Sequence, residues 1–239
     1  IPVEAAIATA DLVDTVPLTG DALPAAPESN GHLTESATVT PAASDARITV
    51  ATDKLLLEIA LAGGDLRRAE LIGYPISKEL PDQPLALLDD RPPHFFILQS
   101  GLASTEKPLV SPSTVFSTPA EHFALSEGSN TLDVTQSFTD ANGLVLTKTD
   151  RYTRGTYQVL MTQTVTNGSE AALKASPYAR LQRTPVRAGY EPPFSQTFIG
   201  EGFYEQKEPG SYRFKKISFD KLHKEPFETT QTGGWLAML

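Results

Sequence analysis

The clearest pattern in the chain is Leu132-Asp133-Val134-Thr135-Gln136-Ser137-Phe138, in which every second side chain is large and its neighbours are small or polar. A turn sequence, Asp140-Ala141-Asn142-Gly143, follows after Thr139. The chain then runs on to Tyr152, turns at Arg154-Gly155, and alternates again from Tyr157 to Val165. Alternation with period two, broken at Asn-Gly and similar pairs, indicates antiparallel β-hairpins. We predict that one face of each strand is buried and that the other face carries Thr, Gln and Lys.

Working outward, the rest of the body shows short apolar runs separated by Gly, Pro and Asn. The predicted strands are residues 48–50, 55–61, 66–72, 95–98, 178–183, 203–204, 212–214 and 217–219. Gly63-Gly64 and Gly200-x-Gly202 are interpreted as turns or bulges, and Leu85–Leu88 as one helical turn. No long stretch with helical period lies between Arg47 and Glu228. The sequence therefore predicts an all-β fold, a large antiparallel sandwich rather than a barrel, with few short helices.

The charge of the chain is unevenly distributed. Residues 1–46 hold seven acidic residues, five prolines and no Lys or Arg, so that of the net charge of −9 the remaining body carries only −2. Such a segment buries too little apolar surface to fold alone, and we interpret it as an acidic, Pro/Ala-rich linker. An acidic interaction tail is the alternative. Because the body has no basic stripe, nucleic-acid binding is excluded.

The last seven residues, 233–239, differ in character from the strands. Gly233-Gly234 releases the backbone, and Trp235, Met238 and Leu239 then follow at the i, i+3, i+4 spacing of one helical face. We predict that an amphipathic helix starts here and continues beyond Leu239, with Trp235 at a membrane–water interface. The alternative is that Trp235 covers the core of the domain. The basic residues nearby, Lys215, Lys216, Lys221 and Lys224, are a solvated face or, alternatively, a site of attraction to anionic headgroups.

Catalytic, cofactor and metal sites are not predicted. The four histidines are His32, His94, His122 and His223, and only His122 has a neighbouring acid in sequence, Glu121. Adjacent residues on a loop do not make an acid–base pair, and His94, Glu121 and His122 lack a metal-ligand spacing. The absence of cysteine excludes disulfides and thiolate metal ligands. A cleft of the sandwich is a candidate site for an extended peptide or a glycan, with aromatic candidates at Tyr152, Tyr157, Tyr178, Phe198, Phe203 and Tyr204.

Several short motifs, taken in order, resemble the periplasmic domain of the YidC/Oxa-type membrane protein insertases. The resemblance covers residues 47–239, and it is carried by Gly63-Gly64-Asp65, Tyr74-Pro75, Pro84–Leu88, Gln99–Leu102, Thr147-Lys148-Thr149, Arg154–Tyr157 and Gly233-Gly234-Trp235-Leu236-Ala237-Met238-Leu239. It implies a β-supersandwich related to galactose mutarotase-like folds at residues 47–232. It also implies that Gly233, Gly234, Trp235, Leu236, Met238 and Leu239 form the hinge and start of an interfacial helix.

The resemblance further implies a location on the periplasmic side of the bacterial inner membrane. The expected role is in a membrane protein insertase and chaperone, where this domain docks partners and the insertion site lies elsewhere. The implied partners are the Sec translocon with SecD/SecF, nascent membrane proteins, and the membrane surface at the C-terminal end. No cofactor is implied, and the domain is expected not to be an enzyme. The alternative hypothesis is a carbohydrate-binding or mutarotase-like domain, since fold kinship alone carries no activity.

Overall fold

The computed structural model describes residues 46–93, 95–104, 109–111, 113–170, 172–185, 198–230 and 235–238. The described residues form thirteen strands and one short helix. In chain order they are β1 Arg47–Ala51, β2 Leu55–Ala60, β3 Asp65–Pro75, β4 Pro84–Leu88, β5 Phe96–Ala103, β6 His122–Ala124, β7 Thr131–Thr139, β8 Leu144–Thr153, β9 Val159–Asn167, β10 Ser176–Arg183, β11 Gly200–Glu208, β12 Ser211–Ser218, α1 Phe219–Lys224 and β13 Leu236–Met238. The prediction of an all-β fold is confirmed.

The strands form three sheets. The largest has the order β10-β5-β3-β2-β1-β6, with β4 added to β3, and its pairs are antiparallel except for β1 with β6. The central hairpins form a second sheet, β7-β8-β9, with continuous antiparallel register from Thr131↔Thr153 to Leu144↔Asn167. A third sheet has the order β12-β11-β13. The hairpins predicted from the Asn142-Gly143 turn are therefore present, with Gly143 in the left-handed region at φ 81°.

The core lies between the first two sheets. One apolar cluster joins Ile48, Leu57 and Ile59 of the first sheet to Val134 and Tyr152 of the second. The other joins Leu102 of β5 to Leu146 of β8 through Val110 and Phe116. Each cluster draws on both sheets, so burial of apolar side chains holds them face to face as a sandwich.

A polar cluster is buried within this sandwich. Lys148 of β8 is 1% exposed, and its Nζ donates to Gly63 O at 2.8 Å and to Ser100 O at 2.6 Å, both in the first sheet or its turns. Burial lowers the pKa of Lys148 to about 8, against the opposing charges of Asp65 and Asp150. Burial likewise raises the pKa of Asp150 to about 6, although Lys148 opposes this rise. The prediction that Lys and Gln lie on the solvent face is wrong here, because Lys148 and Gln136 are both buried.

Three local predictions are also wrong. Leu85–Leu88 lies in strand β4, paired with β3, and is not a helical turn. Gly200 and Gly202 lie within β11 rather than in turns, and a Cβ at Gly200 would collide with Ile217 O across the ladder. Leu236–Met238 is strand β13, paired with β11, and not the start of a helix. In each case pairing with another strand satisfies the backbone, which the local pattern does not reveal.

The interpretation of Gly63-Gly64 as a turn is confirmed, since both residues have positive φ, at 76° and 62°. The linker at residues 1–46 falls outside the described residues except for Ala46. Of residues 184–197, only Thr184 and Pro185 are described. No helix in the described part of the chain has the length and apolar content needed to cross a membrane.

Candidate functional site

The C-terminal residues meet the rest of the chain at the third sheet, β12-β11-β13. Tyr204 of β11 lies opposite Phe214 of β12, and its N–H donates to Trp235 O at 3.0 Å. The register therefore places the three aromatic side chains in one row across the sheet. Their ring centroids are 4.7 Å apart for Tyr204 and Trp235, 5.3 Å for Tyr204 and Phe214, and 5.9 Å for Phe214 and Trp235.

This row is open to solvent. Trp235 is 52% exposed and Phe214 is 40% exposed, and Tyr212, two residues before Phe214 on the same face, is also exposed. We call Tyr204, Tyr212, Phe214 and Trp235 the aromatic surface. The alternative that Trp235 covers the core is not supported, since half of its side chain is accessible. Contiguous exposed aromatic side chains of this kind are typical of an interaction surface.

Cationic side chains line a groove at the β12 edge of the sheet, next to Phe214. Arg213, Lys215, Lys216 and Lys221 line a groove of about 460 Å³ between β12 and the segment that follows α1, together with Phe214, Ile217, Glu225, Pro226 and Phe227. Lys216 lies over the ring of Phe198, with its Nζ 5.0 Å from the centroid. Four cations against one carboxylate give this groove the charge that attracts anions such as phosphate groups.

An ion-pair network fixes the opposite face of the same sheet. Lys207 and Lys215 both approach Glu205 Oε2, at 2.8 Å and 2.7 Å. Hydrogen bonds from Lys207 and then Lys215 lower the pKa of Glu205 to about 2, so the carboxylate stays ionised. Lys215 also lies 5.9 Å from the centroid of Phe203, which packs against Phe227 at 5.3 Å. Lys215 is thus partly neutralised, while Lys216 and Lys221 have no acidic partner among the ion pairs of the described residues.

The helix α1 positions Lys221 at the groove. Ser218 is its N-cap, and the Ser218 hydroxyl accepts from Lys221 N at 3.4 Å. Lys221, His223 and Lys224 lie in its last turn, where cations are favoured by the helix dipole. A hairpin and a cap therefore bring Lys216 and Lys221 of the basic run to the groove at the edge of the aromatic surface.

The predicted hinge residues are only partly described. Trp235 belongs to the aromatic surface, Leu236 is 64% exposed opposite Phe203, and Met238 is half-buried opposite Glu201. Gly233, Gly234 and Leu239 lie outside the described residues. Sequence reasoning identified Trp235 but missed Phe214, which contacts it, and Tyr212, two residues before Phe214. Their alternation with Arg213 and Lys215 was the available signal.

The other candidate aromatic residues do not form one cleft. Tyr152 is in the core, where burial raises its pKa, and Tyr178 packs against Gly101 in the neighbouring strand. Tyr157 contacts Tyr74 at 5.8 Å on the surface. Phe203 and Tyr204 point to opposite faces of β11, as adjacent strand residues do.

The histidines are also separated from one another. His122 lies on β6 and its Nδ1 is 2.7 Å from Thr49 Oγ1, whereas His94 and His32 are outside the described residues. His223 lines a second groove of about 650 Å³ that also contains Glu201 and Asp220. Within the described ranges no three His, Asp or Glu side chains are grouped so that they could hold a metal ion.

Comparison with known proteins agrees with this architecture. The family model for the YidC periplasmic domain matches residues 47–239. Curated relatives named membrane protein insertase YidC include those of Nitrosococcus oceani, 32% identical over 97% of this chain and 41% of the relative, and Methylococcus capsulatus, 33% identical over 81% of this chain and 35% of the relative. That of Thioalkalivibrio sulfidiphilus is 33% identical over 95% of this chain and 40% of the relative.

The chain thus spans about two fifths of the length of the curated relatives it matches. The match begins where β1 begins, after the acidic segment, and it includes the aromatic surface and β13. Since the family model matches residues 47–239 and the identity extends over most of the chain, the chain belongs to the family of YidC periplasmic domains.

Proposed function

We propose that this domain works on the periplasmic side of the bacterial inner membrane as part of a membrane protein insertase, assisting insertion and folding without forming the insertion site. Residues 47–232 would be the partner-docking body, residues 1–46 a tether, and residues 233–239 the connection toward the membrane. The observation that carries this proposal is the aromatic surface with its cationic groove, located where the chain reaches its last described strand.

The aromatic surface suits contact with a lipid headgroup region. Trp and Tyr are favoured at membrane interfaces because their rings are apolar while an N–H or O–H stays hydrated. Each Lys or Arg near an anionic leaflet contributes about 1 kcal/mol, so Lys216 and Lys221 together give about 2 kcal/mol. This is enough to orient a domain that is also held to the membrane through its chain, but not to bind it tightly alone.

The body of the domain is available to proteins. By family resemblance the partners are the Sec translocon with SecD/SecF and nascent membrane proteins. Exposed strand edges would offer docking surfaces to such partners. Insertion itself would belong to the part of the insertase that this chain does not span.

The test is binding to phospholipid vesicles rich in phosphatidylglycerol, followed by co-sedimentation at low ionic strength. We expect the double variant Lys216→Gln/Lys221→Gln to bind several-fold more weakly. The matched control, Lys78→Gln/Lys174→Gln, removes the same charge from exposed sites elsewhere and should bind as the parent does. Equal losses in both variants, or binding that is the same to neutral vesicles, would contradict the proposed membrane contact.

One observation favours a second candidate, a carbohydrate-binding or mutarotase-like activity. Glu201 and His223 line the same groove, and a Glu with a His is the pair that sugar ring-opening chemistry uses. Titration with galactose and glucose by calorimetry tests it. Saturable binding that is lost in both Glu201→Gln and His223→Ala would favour this candidate, and heats equal to dilution would exclude those two sugars.

A further inference from the structure

In the part of the chain that the structure describes, the outer edge of β9 is open along its length. β9, Val159–Asn167, pairs with β8 at every residue and ends the sheet β7-β8-β9. Among the described residues no strand pairs with its other side. An edge strand of nine residues exposes a row of backbone donors and acceptors that another chain can match.

Two turn hydrogen bonds identify which backbone groups point outward. Gly168 N donates to Gly143 O at 3.2 Å, and Asp140 N donates to Leu144 O at 2.9 Å. Hydrogen-bonded and non-hydrogen-bonded residue pairs alternate along an antiparallel ladder. The two bonds therefore agree on which residues of β9 bond to β8. Leu160, Thr162, Thr164 and Thr166 therefore bond to β8. The N–H and C=O groups of Val159, Met161, Gln163 and Val165 point to the open edge.

β9 lacks the features that guard the other edges. Charged residues or prolines protect three of those edges: β12 has Arg213, Lys215 and Lys216, β10 has Pro177, Arg180 and Arg183, and β4 has Pro84. Strands β6 and β13 are only three residues long, and β7 is partly covered by the Ser117↔Ser137 bridge. β9 has no charged residue, no proline, no glycine and no register shift. Such an edge is suited to pairing with a further strand.

The side chains of β9 define what that strand must be. On the inner side Val159 packs against one core cluster and Val165 against the other, so the apolar core reaches the edge. Between them Gln163 Oε1 is buried without a hydrogen-bond partner. On the outer side lie Leu160 and three threonines, all exposed. A charge on the added strand would lose hydration against the inner side with no counter-charge on β9.

We propose that β9 receives an extended, uncharged segment of another polypeptide by strand addition. Apolar side chains of that segment extend the core past Val159 and Val165, and a donor side chain opposite Gln163 satisfies its amide oxygen. The inference rests on the proposed role in docking other polypeptides, and it names the chemical class of segment docked. External loops of membrane proteins in transit fit this class when they are extended and uncharged.

The test uses a fluorescein-labelled peptide, VTVTQTVTV, with solubilising lysines outside these nine residues. Its valines and central Gln face the inner side when it pairs with β9. We expect saturable binding by anisotropy, and none for the same peptide with alternate amides N-methylated, since those amides would donate to the edge. Backbone amides of Met161, Gln163 and Val165 should become protected from hydrogen exchange on binding.

Two variants locate the binding. Leu160→Lys places a charge at the edge and should weaken binding about tenfold. Leu87→Lys makes the same change at a site of similar exposure, 52% against 56%, and should leave binding unchanged. Gln163→Pro removes one outward N–H without removing a bond to β8, so it should fold, as circular dichroism would show, and bind more weakly.

Three results would overturn the inference: no saturable binding, equal loss in Leu160→Lys and Leu87→Lys, or a concentration-dependent dimer that Leu160→Lys dissociates. The last would mean that a second copy of the chain occupies the edge. Failure here is separable from failure of the proposed membrane contact, because Lys216→Gln/Lys221→Gln changes a different surface and should leave peptide binding intact.

Discussion

Replacing Lys148 tests directly whether its buried ammonium joins the first two sheets. We propose the substitution Lys148→Met, which keeps the length and apolar stem of the side chain but removes the donor. Gly63 O and Ser100 O then lose a donor at 2.8 Å and 2.6 Å. Asp65 and Asp150 lose the positive charge that faces them.

The magnitude follows from burial and hydrogen bonding. A pKa lowered from 10.5 to about 8 means that burial costs the charged form about 3 kcal/mol. With a pKa of about 8 the ammonium is still the main form at pH 7, and it donates to Gly63 O and Ser100 O. Leaving a buried acceptor unsatisfied costs about 1–3 kcal/mol, and two acceptors lose their donor here. We expect Lys148→Met to lower the free energy of unfolding by about 3 kcal/mol.

Urea unfolding followed by circular dichroism measures this change. The matched control is Lys174→Met, an exposed lysine, which should change the free energy of unfolding by less than about 0.5 kcal/mol. A loss below about 1 kcal/mol in Lys148→Met, with an unchanged dependence on urea, would refute the view that this ammonium joins the sheets.

Four further changes test other parts of the structure. Burial raises the pKa of Asp150 from 3.8 to about 6, so the folded state holds this proton more tightly than the unfolded state. The resulting stability is present below about pH 4 and is lost as pH rises to about 6, by up to about 3 kcal/mol. Asp150→Asn should remove this pH dependence of the free energy of unfolding, as measured by urea unfolding at a series of pH values. Gly64 has φ 62°, and a Cβ added there would lie 3.2 Å from both Lys148 Nζ and Gln136 Oε1. Gly64→Ala should therefore lower the free energy of unfolding by at least about 1 kcal/mol in the same assay, and a neutral result would show that the turn relaxes. Trp235→Asp should lower the melting temperature little, because Trp235 is half exposed, yet reduce membrane protein insertion by the full-length insertase in a reconstituted assay; an unfolded variant would contradict the surface position. Deleting residues 1–46 should cost less than about 1 kcal/mol, and a larger loss would show that this segment packs on the body.

The parts of the fold that the sequence predicts well are those set by neighbouring residues. Asp140–Gly143 has the residues of a tight turn, and the strands on either side alternate strictly, so β7, β8 and β9 follow from local chemistry. β4 and β13 do not. Their short apolar sequences are compatible with helix or strand, and pairing with β3 or β11 decides between them.

The site was harder to predict than the fold, for a related reason. Trp235 stands out because it is the sole tryptophan, but its contacts with Tyr204 and Phe214 depend on how three strands pair. Lys148 was expected in solvent because lysine rarely lies in a core. Its acceptors, Gly63 O and Ser100 O, belong to residues far away in sequence, so no local sequence pattern predicts these hydrogen bonds.

The central claim, that the aromatic surface contacts lipid headgroups, is tested most directly by the fluorescence of Trp235, the single tryptophan of the chain. The chain is mixed with phosphatidylglycerol vesicles that carry bromine at defined depths of the acyl chains. We predict a blue shift and quenching that is strongest for bromine nearest the headgroups, both reduced in Lys216→Gln/Lys221→Gln. Emission that is unchanged by vesicles under conditions where the chain co-sediments with them would contradict the claim.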